Sequence, residues 1–210
     1  FVQKPISIFD SVEIAQAIKK LNLPPAKLDI GKLTYEYHLE DQKYENATAF
    51  VASKLADAKK SKNIEPKDVV LYGFGRIGRL VARELMTRTG KGNQLRLRAI
   101  VTRGAINETV LEKRASLLRN DSVHGDFSGM VSVDVKNSAL IINGTTVNII
   151  SANAPEDIDY TKYGINNALV IDNTGAFRDK EALERHLVPN GADKVLLTAP
   201  GKGVPNIVYG

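Results

Sequence analysis

The chain of 210 residues contains no cysteine. That absence excludes disulfides, thiolate metal centres and thiol nucleophiles within these residues. Histidine is almost as scarce: His38, His124 and His186 are its three representatives, scattered along the chain, which argues against an imidazole metal site. No apolar run reaches the length of a membrane span, and the first residues lack the basic-then-apolar pattern of a secretory leader. A membrane partner is therefore not expected, and a cytoplasmic location is. The Asn-x-Thr sequons at Asn46, Asn107 and Asn143 carry little weight without a secretion signal. The chain starts at Phe1 without an initiator methionine and stops at Val208-Tyr209-Gly210, inside what reads as a strand. The expectation is a piece of a longer protein.

What is present suffices for a proper core. A hydrophobic content of 43% over this length fits one domain plus an appendage, or two small domains. The net charge of +5 is modest but unevenly placed. From Arg76 to Arg119 eleven basic residues face only three acidic ones, Glu84, Glu108 and Glu112. Such an excess favours an anionic ligand or partner, or else forms a solvated helix face.

One stretch organises the rest. Asp68-Val69-Val70-Leu71-Tyr72 is an apolar burst of strand type, Gly73-Phe74-Gly75-Arg76-Ile77-Gly78 is a G-x-G-x-x-G turn, and Val81, Glu84 and Leu85 continue at helix spacing. A strand, glycine turn and helix in this order form the phosphate-binding opening of a dinucleotide fold. Gly73 permits the tight turn, Gly75 lets the backbone approach a pyrophosphate, and Gly78 lets the helix lie against the strand. The helix start offers unpaired N–H groups and the positive end of its dipole. The competing reading is a glycine-rich turn between packed elements.

Residues 1–66 differ in character, with ten lysines, no arginine and nine acidic residues. Asp10 or Ser11 is expected to cap a helix carrying Val12, Ala15, Ile18 and Leu21, which Pro24 and Pro25 end. A second helix is expected from about Glu45 to Lys59, with Ala47, Phe50, Val51 and Leu55 on one face. Lys59 to Asn63 reads as a linker, closed by Glu65-Pro66. The aromatic residues Tyr35, Tyr37, Tyr44 and Phe50 are expected to serve packing. This segment, 1–66, is read as a helical N-terminal extension.

From Lys67 strands and helices alternate. Strands are expected at Val69–Tyr72, Leu95–Val101, Met130–Val135, Leu140–Ile142, Thr146–Ile150, Ala168–Asp172 and Lys194–Leu197, with another beginning at Asn206–Tyr209. Helices are expected at Arg76–Thr87, Asn107–Leu118 and Lys180–His186, with a loop over Gly90–Gln94. Asn143-Gly144 is a strong hairpin signal. Residues 67–210 thus read as an α/β domain, a doubly wound and mostly parallel Rossmann sheet with an antiparallel insertion near residues 130–150.

The motifs of this region carry a family resemblance. Gly73-Phe74-Gly75-Arg76-Ile77-Gly78-Arg79, Asn120-Asp121-Ser122-Val123-His124-Gly125, Ile142-Asn143-Gly144, Asn173-Thr174-Gly175-Ala176-Phe177 and Thr198-Ala199-Pro200 follow one another. From about Val69 to Gly210 the chain resembles the cofactor-binding half of glyceraldehyde-3-phosphate dehydrogenase, in an N-terminally extended subtype. The resemblance implies that the pyrophosphate lies on Gly75, Arg76 and Ile77, with Gly73, Phe74 and Gly78 completing the loop. It implies that Thr174 and Gly175 line the adenosine side with Phe177 nearby, and that Thr198 sits where the family has a serine near the nicotinamide. Taken alone, Thr174 to Phe177 reads as an ordinary strand-to-helix turn. His124 falls in a stretch that is structural in the family and is expected to be a satisfied structural histidine.

The departures from the family pattern concern the cofactor. Where the family usually has an Asn-Asp pair whose carboxylate binds the adenine ribose of NAD, this chain has Val101-Thr102, followed by Arg103. Thr102 stands 24 residues after Gly78, in the ribose-binding slot. A carboxylate there would repel a 2′-phosphate, whereas Thr102 can donate a hydrogen bond to it and Arg103 can pair with it. NADP is therefore the favoured cofactor, the alternative being that Arg103 points to solvent and NAD binds weakly. Tyr72 replaces a customary Asn beside the first glycine, which implies altered hydrogen bonding near the adenine ribose.

The family's nucleophilic cysteine belongs to a stretch about 30 residues beyond Thr198-Ala199-Pro200, and no residue here takes its role. The resemblance implies a glycolytic or gluconeogenic enzyme that converts a phosphorylated aldehyde and inorganic phosphate to an acyl phosphate, or the reverse, and assembles as a homo-oligomer. Erythrose 4-phosphate is an alternative substrate. A different class of function, a non-catalytic nucleotide- or nucleic-acid-binding module using the Arg76–Arg119 stretch, is the second reading, with nucleic acid the less expected partner.

Overall fold

The computed structural model describes residues 5–23, 28–60, 66–87 and 95–208, and the chain divides into two compact units, one within residues 1–65 and one from Pro66 onward. The loop expected at Gly90–Gln94 and residues 61–63 of the linker expected over Lys59–Asn63 lie outside the described residues; Lys59 and Lys60 are not linker but the end of a helix, Ala56–Lys60.

The first unit contains helices α1 (Ile8–Lys20), α2 (Ile30–Glu40), α3 (Ala47–Lys54) and α4 (Ala56–Lys60). Ile14, Ala17, Leu33, Ala47, Phe50 and Val51 form its core, and the Phe50 ring meets those of Tyr37 at 5.1 Å and Tyr44 at 5.3 Å. Three expectations are corrected here. Helix α1 begins a turn earlier than Asp10, because Ser7 supplies the capping oxygen to the Phe9 N–H at 3.2 Å. Its face is accordingly rotated: Ile14 and Ala17 are buried while Val12 is exposed, and Asp10 is free to bond His38 Nε2 at 2.9 Å. Helix α2, capped by Asp29 at the Lys32 N–H (2.8 Å), was hidden by its β-branched and aromatic residues, which have weak helix propensity. The helix expected over Glu45–Lys59 breaks at Leu55, where the backbone leaves the helical region.

The second unit contains β1 (Lys67–Tyr72), α5 (Arg76–Thr87), β2 (Leu95–Thr102), α6 (Glu108–Arg119), the short ribbon β3 (Asn120–Asp121) and β4 (Gly125–Asp126), β5 (Val131–Asp134), β6 (Ala139–Ile142), β7 (Thr145–Ser151), β8 (Ala168–Asp172), α7 (Lys180–Glu184) and β9 (Ala192–Leu197). One seven-stranded sheet runs in the order β5-β6-β7-β2-β1-β8-β9. The pairs β7/β2, β2/β1, β1/β8 and β8/β9 are parallel, and β5/β6 and β6/β7 are antiparallel. This is the doubly wound, mostly parallel sheet with an antiparallel insertion that the alternation of elements predicts.

Strand β1 shows why it sits at the centre. Val69 and Leu71 point into a core shared with α5 and α6, and Val70 and Tyr72 into a second core with Ile158, Tyr160 and Ile165 on the opposite face. A strand covered on both faces has to be apolar throughout, as this one is. Helix α5 buries Gly78, Ala82 and Met86, four residues apart, so its inward line runs beside the expected Val81-Leu85 line. The expected helix Lys180–His186 is α7 followed by a tighter turn at Arg185–Leu187. No strand forms at Asn206–Val208; the Asn206 side chain instead closes a turn onto the Gly201 N–H (3.0 Å) and C=O (3.2 Å).

All three sequon asparagines do backbone work. Asn46 and Asn107 cap α3 and α6. Asn143, at φ +48° in the β6–β7 hairpin, accepts the Met130 N–H at 2.9 Å.

Just after α6, Asp121 accepts the ring Nδ1 and the backbone N–H of His124, the Val123 N–H and the Arg79 guanidinium. His124 is thus tied to a carboxylate on its own turn. The hydrogen bonds from His124, then those from Val123 and Arg79, hold the Asp121 carboxyl well below the usual carboxylate range. A depressed folded pKa contributes stability that is complete above roughly pH 4, where a free aspartate titrates, and is lost as pH falls through the folded value. Asp121→Asn should therefore lower the urea midpoint followed by circular dichroism at pH 7. The gap to the parent should close as pH drops below about 4; a gap unchanged between pH 7 and 3 would contradict this.

Candidate functional site

The glycine turn leaves β1 at its carboxyl end. Gly73 has φ +94°, a left-handed conformation costly for other residues, and its N–H donates to the Val101 carbonyl at 2.9 Å. A Cβ on Gly73 would lie 2.7 Å from the Thr174 methyl, and one on Gly78 only 2.4 Å from the Gly73 carbonyl oxygen. Around Gly75 a Cβ would meet nothing within 4 Å. The three glycines thus have distinct roles: Gly73 turns, Gly78 brings α5 against the turn, and Gly75 leaves open the approach to the helix start. Arg76 and Ile77 are exposed at that start, and Phe74 is buried in the core beneath it. The first-turn N–H groups of an α-helix have no intrahelical acceptor, so α5 presents donors here.

The strand order reverses between β1 and β8. Strand β2 lies to one side of β1, and β8 with β9 to the other, so the loops after β1 and β8 leave a switch point of the kind at which doubly wound sheets bind ligands. The residues predicted from sequence fall in a row along this edge: Thr102 at the end of β2, Gly73 after β1, Thr174 and Gly175 after β8, Thr198 after β9. Three strand spacings of about 4.8 Å give the row a length of roughly 14 Å.

Asp172, which ends β8, organises this edge although sequence reasoning gave it no role. It is fully buried. Its Oδ1 accepts the Thr174 N–H at 2.6 Å and hydroxyl at 2.7 Å, and its Oδ2 lies 2.9 Å from Nε2 of His186, also fully buried. Its carbonyl accepts the Thr198 N–H and hydroxyl, both at 3.0 Å. One residue therefore holds two of the three threonines of the predicted row, Thr174 and Thr198. A carboxylate closing the apolar run Ala168-Leu169-Val170-Ile171 was the sequence signal for it, since a buried charge requires partners.

Phe177 packs edge-on against Tyr72 (5.9 Å) and His186 (4.7 Å), with the Arg185 guanidinium 5.4 Å over its ring. Arg185 in turn pairs with Glu156, which lowers the Glu156 pKa. Tyr72, in the place of an asparagine, joins this aromatic cluster, and burial raises the pKa of its phenol. Arg178 Nε bonds the Gly175 carbonyl at 2.7 Å and stiffens the loop. Thr102 is buried, and its hydroxyl has no partner among the described residues: a polar group suited to a ligand oxygen.

Five of the eleven basic residues of the stretch are engaged by the fold. Arg83 bonds the carbonyls of Leu118, Arg119 and Gly125. Arg79 pairs with Asp121, Arg96 and Arg98 with Asp68, and Arg119 with the Val131 carbonyl. Arg76 and Arg103 are exposed and have no hydrogen-bond or ion-pair partner among the described residues; both stand at the carboxyl edge of the sheet. A separate open groove of about 630 Å³, lined by Glu13, Gln16, Lys20 and Asn46 among others, belongs to the first unit and shares no residue with this edge.

Comparison with known proteins adds an independent finding. The family model described as glyceraldehyde 3-phosphate dehydrogenase, NAD binding domain, matches residues 67–180. A glyceraldehyde-3-phosphate dehydrogenase-like protein of Pseudomonas aeruginosa (strain UCBPP-PA14) is 49% identical over 98% of this chain, and the match covers 45% of that protein. Glyceraldehyde-3-phosphate dehydrogenase 1 of Agaricus bisporus is 38% identical over 68% of the chain and 39% of its own length. The Streptococcus pyogenes glyceraldehyde-3-phosphate dehydrogenase is 40% identical over 67% and 38%. The chain spans less than half the length of these relatives. The Pseudomonas match, at 98% of the chain, takes in residues of both units.

The glycine geometry separates two substitutions. Gly78→Ala forces the helix off the turn and should destabilise the second unit by about 1–3 kcal/mol, the usual range for overpacking. Gly75→Ala should change stability by less than about 1 kcal/mol, since its methyl meets open space and the loss of glycine just before the helix costs at most about that much. Thermal unfolding of both variants checks the contrast, and equal losses would contradict the assigned roles.

Proposed function

The chain belongs to the glyceraldehyde-3-phosphate dehydrogenase family, an oxidoreductase lineage, and from that premise we propose that its second unit seats a nicotinamide dinucleotide along the carboxyl edge of the sheet, with NADP favoured over NAD. The observation that carries this reading is the glycine turn itself: a strand end, a left-handed Gly73 and an unobstructed Gly75 opening a helix beside the β1/β8 crevice. The residues present fit the cofactor, because the approach at Gly75 is open and the buried Thr102 hydroxyl lacks an internal partner.

The backbone of Gly75, Arg76 and Ile77 would hold the pyrophosphate through helix-start N–H groups and the dipole. Thr174, Gly175 and Phe177 would line the adenosine side, and Thr198 the nicotinamide side. Thr102 would donate to a 2′-phosphate and Arg103 would pair with it. Bound there, the dinucleotide supplies a hydride acceptor or donor. For a chain completed to the length of its relatives, we propose their named activity. This is oxidation of a phosphorylated aldehyde to an acyl phosphate with inorganic phosphate, or its reverse, by a cytoplasmic homo-oligomer; erythrose 4-phosphate is the alternative substrate. A nucleic-acid-binding module is the weaker reading, because the arginines that suggested it are largely engaged within the fold.

Calorimetric titration of the chain with NADP and NAD should give tighter NADP binding. Arg103→Ala should weaken NADP by about tenfold, as for loss of a charge-assisted pair worth roughly 1.5 kcal/mol, and NAD by less. NAD binding ten times tighter than NADP in the parent chain would end the preference.

A thioester route needs a thiol, and the chain has none. The 210-residue protein should therefore bind dinucleotide without reducing it when supplied with glyceraldehyde 3-phosphate and phosphate; turnover by a pure sample, followed by the absorbance of the reduced nicotinamide, would contradict the proposal.

A further inference from the structure

We infer that His186 is a positioning residue for the dinucleotide edge, acting through Asp172 to hold the Thr174 loop against the glycine turn; the inference rests on the dinucleotide reading above. The connection is continuous. His186 Nε2 lies 2.9 Å from Asp172 Oδ2, the other carboxylate oxygen receives the Thr174 N–H at 2.6 Å and hydroxyl at 2.7 Å, and the Thr174 hydroxyl accepts the Ala176 N–H at 3.1 Å. The Thr174 methyl stands 2.7 Å from where a Cβ of Gly73 would be. A shift of Thr174 is therefore felt directly at the turn.

The imidazole is held for this task. Its ring is wedged edge-on between Tyr72 at 4.6 Å and Phe177 at 4.7 Å, with no solvent exposure. Nδ1 has no partner among the described residues, so the bond to Asp172 is the ring's polar anchor. An ionised carboxylate only accepts, which assigns the proton to Nε2. With that donor in place Asp172 has one orientation, in which Oδ1 faces Thr174. Without it, a buried carboxylate oxygen loses its partner, and only the two Thr174 bonds to Oδ1 resist a turn of the group that would bring Oδ2 to a donor. Besides its bond to Asp172, His186 meets the edge through ring packing on Phe177 and Tyr72, so the hydrogen bond and the ring have to be tested separately.

Two variants of the whole chain separate the donor from the ring. His186→Gln can place an amide nitrogen where Nε2 sits, whereas His186→Leu fills the space without a donor. With folding confirmed by circular dichroism, the Leu variant should bind NADP at least tenfold more weakly and lose amide-exchange protection at Thr174 and Ala176. The Gln variant should stay within threefold of the parent on affinity and keep that protection. If the Leu variant does not fold, His186→Asn, whose shorter amide falls short of Asp172, takes its place with the same expectation. Unchanged protection and affinity in the donor-less variant would overturn the inference, as would equal losses in the Gln variant, which would assign the effect to ring packing. Should the parent bind no dinucleotide while protection still follows the donor, the cofactor reading fails and the positioning network stands.

Discussion

The carboxylate of Asp172 is the constraint on which the second unit's edge depends. A charge without solvent exposure is costly unless both oxygens are partnered, and here the hydroxyl and N–H of Thr174 serve one and the ring of His186 the other. The same residue's carbonyl takes both donors of Thr198. Parallel strands end in loops that must be tied individually, since no hairpin joins neighbours. One strand terminus that ties the loop after it, the loop after its neighbour and a distant buried ring replaces several separate devices. Thr174 and Thr198 are thus tied to one another through this single polar node.

Charge in this molecule is read correctly only after its internal use is subtracted. The basic excess between Arg76 and Arg119 invites a polyanion as partner, yet most of those guanidinium groups saturate carbonyls and carboxylates that the fold leaves open. Arg83 closes the end of α6 by binding the carbonyls of Leu118 and Arg119 and ties it to that of Gly125 in β4, the work usually left to C-terminal caps and water. Arg76 and Arg103 remain exposed, and they flank the glycine turn and the end of β2. A small anionic ligand at that edge agrees with this distribution better than a long nucleic acid does.

Legibility in the sequence followed the density of local signals. The glycine motif, the apolar strands and the Asn143-Gly144 hairpin each combine composition with period, and their elements lie within a residue or two of their expected places. In the first unit the signals conflict. Helix α2 carries Thr34, Tyr35 and Tyr37, residues of middling helix propensity, and its capping Asp29 stands in no recognisable motif. The start of α1 was misplaced because Ser7, Asp10 and Ser11 are all competent caps and only tertiary packing of Ile14 and Ala17 chooses among them. At the site, residues belonging to a contiguous motif were legible. The Asp172–His186 pair was not, because its members are separated along the chain by a turn, a helix and no shared pattern. Which arginines are spent internally is likewise invisible without the topology that brings Leu118, Gly125 and Val131 to them.

The register of the central sheet has a kinetic consequence. Val69 lies opposite Leu97 on one side and Leu169 on the other, so one wall of the crevice comes from nearby sequence and the other from about a hundred residues away, where loop closure is entropically more demanding. Folding can assemble β1, α5 and β2 as a local unit while β8 is still searching for its place. The groove between them comes into existence only on that last docking, and an intermediate that stops short of it would have native-like secondary structure and a bare, adhesive strand edge.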